Sequence, residues 1–340
     1  MSEFDFIDDY SEPQATLESL SENVAETAIN VAFVGVGGGG CKIAKAFLDL
    51  GFTKTILLNT TTKDFQTGID EDHLVALPGA DGLAKNIELG RQVLGENSAF
   101  VEDALRTKLG KVDWLFVCAG GGGGTGSSAY TLDPVFKRFL ETNEATGKVV
   151  YIISQPTAQE KLNSTIKKNS ASLLKDVQKD PHIVLDNEKQ LNVFRGRVGV
   201  LGLYPAANNA FAKMFWQLLR LADEPSPVQV FDGKDLERFL SAPGRMVVGS
   251  AICPPGPNLG VQLYQSCLNN SPCPTPKGHA ETGVLLQVIT EDHANDADIS
   301  GHLEASSAYV GGRTNTLFSG IYVRDNLPGL VTVLALGGLK

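Results

Sequence analysis

Two glycine runs are the residues in this chain whose type and spacing could do chemistry. The stretch VCAGGGGGTGSSAY, Val117 to Tyr130, holds five consecutive glycines at Gly120–Gly124, and INVAFVGVGGGG, beginning at Ile29, places glycines at 35 and at 37 to 40. A run of glycines is costly, because each gives up more backbone freedom on folding than any other residue. Both runs directly follow an apolar stretch that reads as a buried strand, and both precede a segment that reads as a helix. Backbone N–H groups at a helix start lack intrahelical partners, the helix dipole favours anions there, and glycine lets a phosphate approach the main chain closely. Two such loops predict an extended polyphosphate held from two sides.

The elements that must position these loops alternate along the chain. INVAFVGV (Ile29–Val36) is a strand, CKIAKAFLDLG (Cys41–Gly51) a helix ending at glycine, and TKTILLNT a second strand. NIELGRQVL and SAFVEDALRTKL are helical, VDWLFVCA (Val112–Ala119) is a third strand, and SAYTLDPVFKRFLET is a helix. KVVYIISQP, a long helix over EKLNSTIKKNSASLLKDV, and HIVLD (His182–Asp186) complete the series. Strands alternating with helices predict an α/β fold with a parallel sheet covered on both faces, and ligands on such sheets bind at the carboxyl ends of the strands.

Two familiar nucleotide loops fit only in part. Gly35, Gly37 and Gly40 match GxGxxG, but the second strand ends at Asn59, where a dinucleotide fold offers Asp or Glu to the ribose. Gly35 and Gly40 have P-loop spacing, yet Cys41 follows and Lys42 lies one position late. Neither explains the second run.

Composition narrows the class. A chain of 340 residues, 42% hydrophobic, exceeds the usual single core, and its net charge of −10 disfavours a nucleic-acid binder that works by charge neutralisation. Eight of the acidic residues, Glu3, Asp5, Asp8, Asp9, Glu12, Glu18, Glu22 and Glu26, precede the first basic residue, Lys42. Such a leader reads as a poorly ordered acidic arm over 1–28 that adds solubility, or as a docking arm for filament regulators. No signal-peptide pattern and no stretch of about 18 apolar residues is visible, so a cytoplasmic protein without membrane insertion is expected. Five cysteines without a CxxC pair predict reduced thiols rather than a zinc site.

At this point the motifs resemble the tubulin/FtsZ family. GGGGTGSS (Gly121–Ser128) resembles the signature GGGTG[ST]G, with Ser128 in place of its last glycine, and VAFVGVGGGG resembles the first phosphate loop of FtsZ. In the same order follow NTT at Asn59 (NTD), GLAKNIELGR at Gly82–Arg91 (GAGxNPxxGR), PTAQEK (PFxFEGK), LDNEKQL (PNDKLL) and AANNAF at Ala206–Phe211 (AANDxL).

That resemblance implies a fold and a set of roles. The fold is a Rossmann-like parallel-sheet GTPase domain over 29–204, a long central helix over 205–224, and a smaller α+β domain over 225–340. Gly37, Gly38, Gly39, Gly40 and Cys41 would form the loop at the α- and β-phosphates, with Asn59 on the second loop. Gly122, Gly123, Gly124, Thr125 and Gly126 would grip the phosphate chain from the other side, and Gly82, Lys85 and Asn86 would sense the γ-phosphate. Glu160 matches the ribose-binding glutamate, with Ser164 where the family has arginine. Asn187 and Asn209 would read the guanine edge, Asn209 replacing an aspartate. PVQVFDGKDLERFLSAPGRMVVG resembles the synergy loop, which places its two catalytic carboxylates at Asp232 and Asp235, with Val230 where the family has asparagine. GTP and GDP are the implied ligands, with Mg²⁺ accompanying the phosphates.

Several of these residues have plain structural uses as well. Asn187 and Asn209 could be caps or turn residues, Glu160 could favour a helix dipole, and Asp232 and Asp235 could form an acidic turn and N-cap. In NAFAKMFWQLLRLADE, Phe211, Met214, Phe215, Leu218 and Leu219 make one apolar helix stripe, read as core packing. Beyond it GVLLQVIT, SSAYVG, TLFSGIYV and LVTVLALGG read as strands of a mixed sheet. The FtsZ tail that binds membrane adaptors is not seen after ALGGLK.

In the family the synergy loop is supplied by the next subunit. The resemblance therefore implies a head-to-tail homopolymer that hydrolyses GTP at subunit contacts. A nucleotide-dependent regulator of another filament is the alternative, and a dinucleotide-linked oxidoreductase a third reading.

Overall fold

The structure is a computed structural model that describes residues 27–325, 327 and 329–340. Apart from residues 27 and 28, the expected acidic arm lies outside the described residues.

The chain opens with β1 (Val31–Val36), which passes straight into α1 (Gly37–Asp49), so Gly37 to Gly40 are themselves the first turn of the helix. β2 (Thr55–Asn59) and the short β3 (Leu74–Ala76) follow, then α2 (Ile87–Glu96) and α3 (Ser98–Leu109). β4 (Trp114–Gly120) runs into a one-turn helix α4 (Gly124–Ser127), followed by α5 (Asp133–Thr142). β5 (Val149–Gln155), α6 (Ser164–Val177), β6 (His182–Asp186) and α7 (Asn187–Phe194) complete the alternation, and α8 (Leu203–Leu221) crosses the molecule.

Period-2 alternation gives each strand two apolar faces. In β1, Val31 and Phe33 enter one core and Ala32, Val34 and Val36 the other; β4 does the same with Trp114, Phe116 and Cys118 against Leu115, Val117 and Ala119. α8 lies on the first face, where Phe211 and Phe215 meet Phe47 and Phe116 edge to face at centroid separations of 5.2–6.1 Å. The apolar stripe is core packing, as its spacing predicts.

After α8 come α9 (Gly233–Leu240), β7 (Arg245–Cys253), α10 (Leu259–Asn270), β8 (Ala280–Ile289), the single turn α11 (Glu291–Ala294), α12 (Ile299–Gly311), β9 (Thr314–Val323) and β10 (Leu330–Leu339). All ten strands join one sheet in the order β3-β2-β1-β4-β5-β6-β7-β10-β8-β9. The pairs from β3 to β7 are parallel, and β10 is antiparallel to both of its neighbours. The seam between β6 and β7 is narrow, with His182 opposite Arg245 and Ile183 opposite Met246.

One expected strand is a helix. SSAYVG belongs to α12, whose buried residues Ile299, Leu303, Ser306 and Val310 fall at i, i+4, i+7 and i+11. Six residues are too few to separate a strand run from part of a helical stripe.

Candidate functional site

Loops at the carboxyl ends of β1, β2, β4, β5 and β6 surround a cavity of about 620 Å³, joined by the start of α8. That volume suits a nucleotide-sized ligand. Strand order lays out its axis. The loops after β2 and β3 form one end, those after β1 and β4 the middle, and those after β5 and β6 the other end.

In the middle, Gly38 and Gly39 present the N-terminus of α1, and Gly120 to Gly126 face them with the start of α4. These helix starts direct unpaired N–H groups into the cavity. A methyl group on Gly123 would meet nothing within 4 Å, so this backbone borders free space. Thr125 is buried and its hydroxyl hydrogen-bonds Thr60 Oγ1 at 2.8 Å, which ties this loop to the residue just past the end of β2.

Several glycines of the runs, Gly126 among them, also serve packing. A methyl group at Gly40 would come within 2.1 Å of the Cys118 carbonyl oxygen, and one at Gly126 within 2.6 Å of the Gly120 oxygen. Gly37, with φ of 71°, sits where a side chain would strike the Gly126 nitrogen at 2.6 Å. Gly37 and Gly40 therefore do not line the cavity as expected; they let the two loops and β4 close up behind it. Cys41 is a further correction. Its thiol is buried, donates to the Gly35 and Leu58 carbonyls, and is pushed up by burial and then by Asp64, so it stays protonated.

At the β2/β3 end, Asn59, Gly82 and Lys85 line the cavity. Ala84 and Lys85 have φ of 44° and 65°, two consecutive non-glycine residues in the left-handed region, at a cost on the order of 1–3 kcal/mol each. The loop is held there by Gly82 N donating to the Thr60 carbonyl and by Asn169 Nδ2 donating to the Lys85 carbonyl. Asn86 does not line the cavity. Its Oδ1 accepts from Leu89 N and caps α2.

At the β5/β6 end lie Glu160 and Asn187. Glu160 also makes a reciprocal cap: Oε2 accepts from Thr157 N at 2.7 Å and from the Thr157 hydroxyl, which in turn accepts from Glu160 N. Tyr204 and Asn208 reach this end from the first turns of α8, and the Lys42 ammonium lies 6.0 Å from the Tyr204 ring centroid. Asn209 is exposed and turned away, whereas Asn208 is buried and lines the cavity. Adjacent helical residues are about 100° apart, so only one of them can face the ligand.

Sequence reasoning missed Thr60, Tyr204, Asn208 and Asn169. A helix begun at Leu203 would have revealed the i, i+4 pair Tyr204 and Asn208. Nothing in the sequence marks Asn169, which is buried among the loops it ties together.

Asp232 and Asp235 are not brought to this cavity. Asp232 caps α9, its Oδ1 accepting from Asp235 N at 2.8 Å, and burial and then the Asp232 charge push the Asp235 carboxyl up. Gly233 N donates to Asp223 Oδ1, just past the end of α8, and a methyl on Gly233 would lie 3.5 Å from Ala28, shortly before β1. Nineteen residues make α8 about 28 Å long. The carboxylate pair thus lies at the amino edge of the sheet and the cavity at the carboxyl edge.

Comparison with known proteins agrees with this geometry, although no protein-family model matches the chain. The cell division protein FtsZ of Pseudomonas aeruginosa is 24% identical over 277 residues, which cover 79% of this chain and 66% of that protein. FtsZ 1 of Pyrococcus abyssi is 26% identical over 247 residues, covering 70% and 62%. The match spans slightly under two thirds of these relatives' length. Among solved structures, a GTPγS-bound protofilament of CetZ2 from Haloferax volcanii superposes with a TM-score of 0.74 at 21% identity, covering 92% of this chain and 94% of that one. A GTPγS-form protofilament of TubZ from Bacillus thuringiensis gives 0.77 at 18%, covering 96% and 92%. The fold is the tubulin/FtsZ fold, shared with these solved structures.

Proposed function

We propose that this chain binds GTP in the cavity, stacks head to tail with copies of itself, and hydrolyses GTP where one copy's Asp232 and Asp235 meet the nucleotide held by the next. The observation that carries this reading is the separation of the two halves of the site. A phosphate cradle at the carboxyl edge of the sheet and a carboxylate pair at the amino edge cannot meet within one molecule, but axial stacking brings them together. Known relatives that form nucleotide-bound protofilaments support it.

Each end of the cavity then has a task. Asn187 and Asn208 offer amide donors and acceptors to the guanine edge, Tyr204 offers a ring face to the base, and Glu160 faces the ribose. The N–H groups of Gly38, Gly39 and the 120–126 loop hold the phosphates. Mg²⁺ would supply charge neutralisation at the phosphates. Among the described residues no group of three or more His, Cys, Asp or Glu could hold a metal, so the ion would ride on the nucleotide, with at most Asp64 beside it. Phosphoryl transfer asks the protein mainly to position groups, and the incoming carboxylates would orient the attacking water.

In this scheme the chain divides into a nucleotide unit over 29–204, a central helix over 205–224, and a C-terminal unit over 225–340 carrying the carboxylates. A titration tests the ligand. GTP and GDP should bind with one site per chain and ATP at least tenfold more weakly; equal binding of ATP, or none of GTP, would contradict the reading.

A further inference from the structure

The β2/β3 end of the cavity carries a charged pair to which no role has been assigned. Lys63 Nζ lies 2.6 Å from Asp81 Oδ2, and the Thr61 hydroxyl donates to Asp81 Oδ1 at 2.8 Å. Thr61, Lys63 and Asp81 all line the cavity, the first two on the loop after β2 and the last on the loop after β3. The pair is not needed to hold those loops together, because Gly82 N already donates to the Thr60 carbonyl and Leu77 N to the Asn59 carbonyl. Its side chains are 75% and 66% exposed, and an ion pair so exposed contributes little stability.

Strand order says what lies at this end. With the base over β5 and β6 and the α- and β-phosphates over β1 and β4, a third phosphate extends toward β2 and β3, and a diphosphate stops short. That end already carries the carboxylates of Asp64 and Asp81, so an incoming phosphate needs cations there, and Lys63 and Lys85 are the cations lining it. An ammonium has three donors, and it binds a multiply charged phosphate more strongly than a solvated carboxylate.

The geometry points to Lys63 as a binding residue for the terminal phosphate, which tells a triphosphate from a diphosphate, with Asp81 as its counter-ion when no third phosphate is present. Lys63 has this role only if the cavity takes a guanine nucleotide, as proposed above.

The test compares affinities for GTPγS and GDP, in Mg²⁺-containing buffer and at protein concentrations too low for assembly, for the parent protein and three variants. Lys63→Met should lower the preference for GTPγS over GDP about tenfold, with GDP affinity within about twofold of the parent. Lys63→Arg should restore most of that preference, and Asp81→Asn, which frees the ammonium, should not lower it. Equal losses for both nucleotides in Lys63→Met, or an unchanged preference, would overturn the inference while leaving guanine-nucleotide binding intact. A fall in Asp81→Asn matching that in Lys63→Met would also overturn it, by making the pair a brace between loops. If the parent bound neither nucleotide, both this role and the proposed function would fall.

Discussion

At the residue scale, two neighbouring asparagines at the start of α8 differ in everything that matters for recognition. Asn208 is buried and borders the cavity, while Asn209 faces outward. Asn208→Ala should weaken GTP binding about tenfold, because buried polar groups of the base would lose a partner. Asn209→Ala should change it by less than about twofold. Titration of both variants checks this, and the reverse order would put the guanine contact on Asn209. The sequence motif points to Asn209 because it counts positions, but burial depends on helical phase, which only the packing of Phe211 and Phe215 against Phe47 and Phe116 sets.

At the element scale, the glycine runs divide between two functions that one-letter code cannot separate. Gly40 lets α1 press on β4, whereas Gly123 borders the open space of the cavity. Gly40→Ala should destabilise the fold by about 1–3 kcal/mol through overpacking. Gly123→Val should melt near the parent temperature yet lose nucleotide affinity. Thermal melts alongside titrations check the contrast, and parental affinity in Gly123→Val would remove the phosphate cradle. The alternation of strands and helices was legible because runs such as VAFVGV and WLFVCA are apolar on both faces, as a sheet covered on both faces requires. The sites of both glycine loops followed from it. Whether a glycine meets a ligand or a neighbouring strand was not legible, since that depends on which backbone lies across from it. The helical course of SSAYVG was hidden for a similar reason: its stripe reaches back to Ile299, beyond the short run that drew attention.

At the scale of the whole molecule, exposed apolar side chains sit at both edges of the sheet that the proposed stacking would cover. Leu162, Val200 and Leu201 are 84%, 83% and 94% exposed beside the residues that reach the cavity, and Val228 and Val230 are 55% and 45% exposed beside Asp232. Leu201→Glu should abolish nucleotide-dependent sedimentation while GTP still binds. Filaments at the parental concentration would show that this edge is not the contact. The central claim is that each catalytic site is shared by two copies. The measurement that tests it most directly is phosphate release from GTP per subunit across a range of protein concentrations, for the parent and for Asp232→Asn, which keeps an N-cap but removes the charge. A threshold followed by steep activation in the parent, with binding retained and release at least tenfold slower in the variant, is the predicted result. A rate per subunit that stays flat with concentration, or is unchanged in Asp232→Asn, would contradict it.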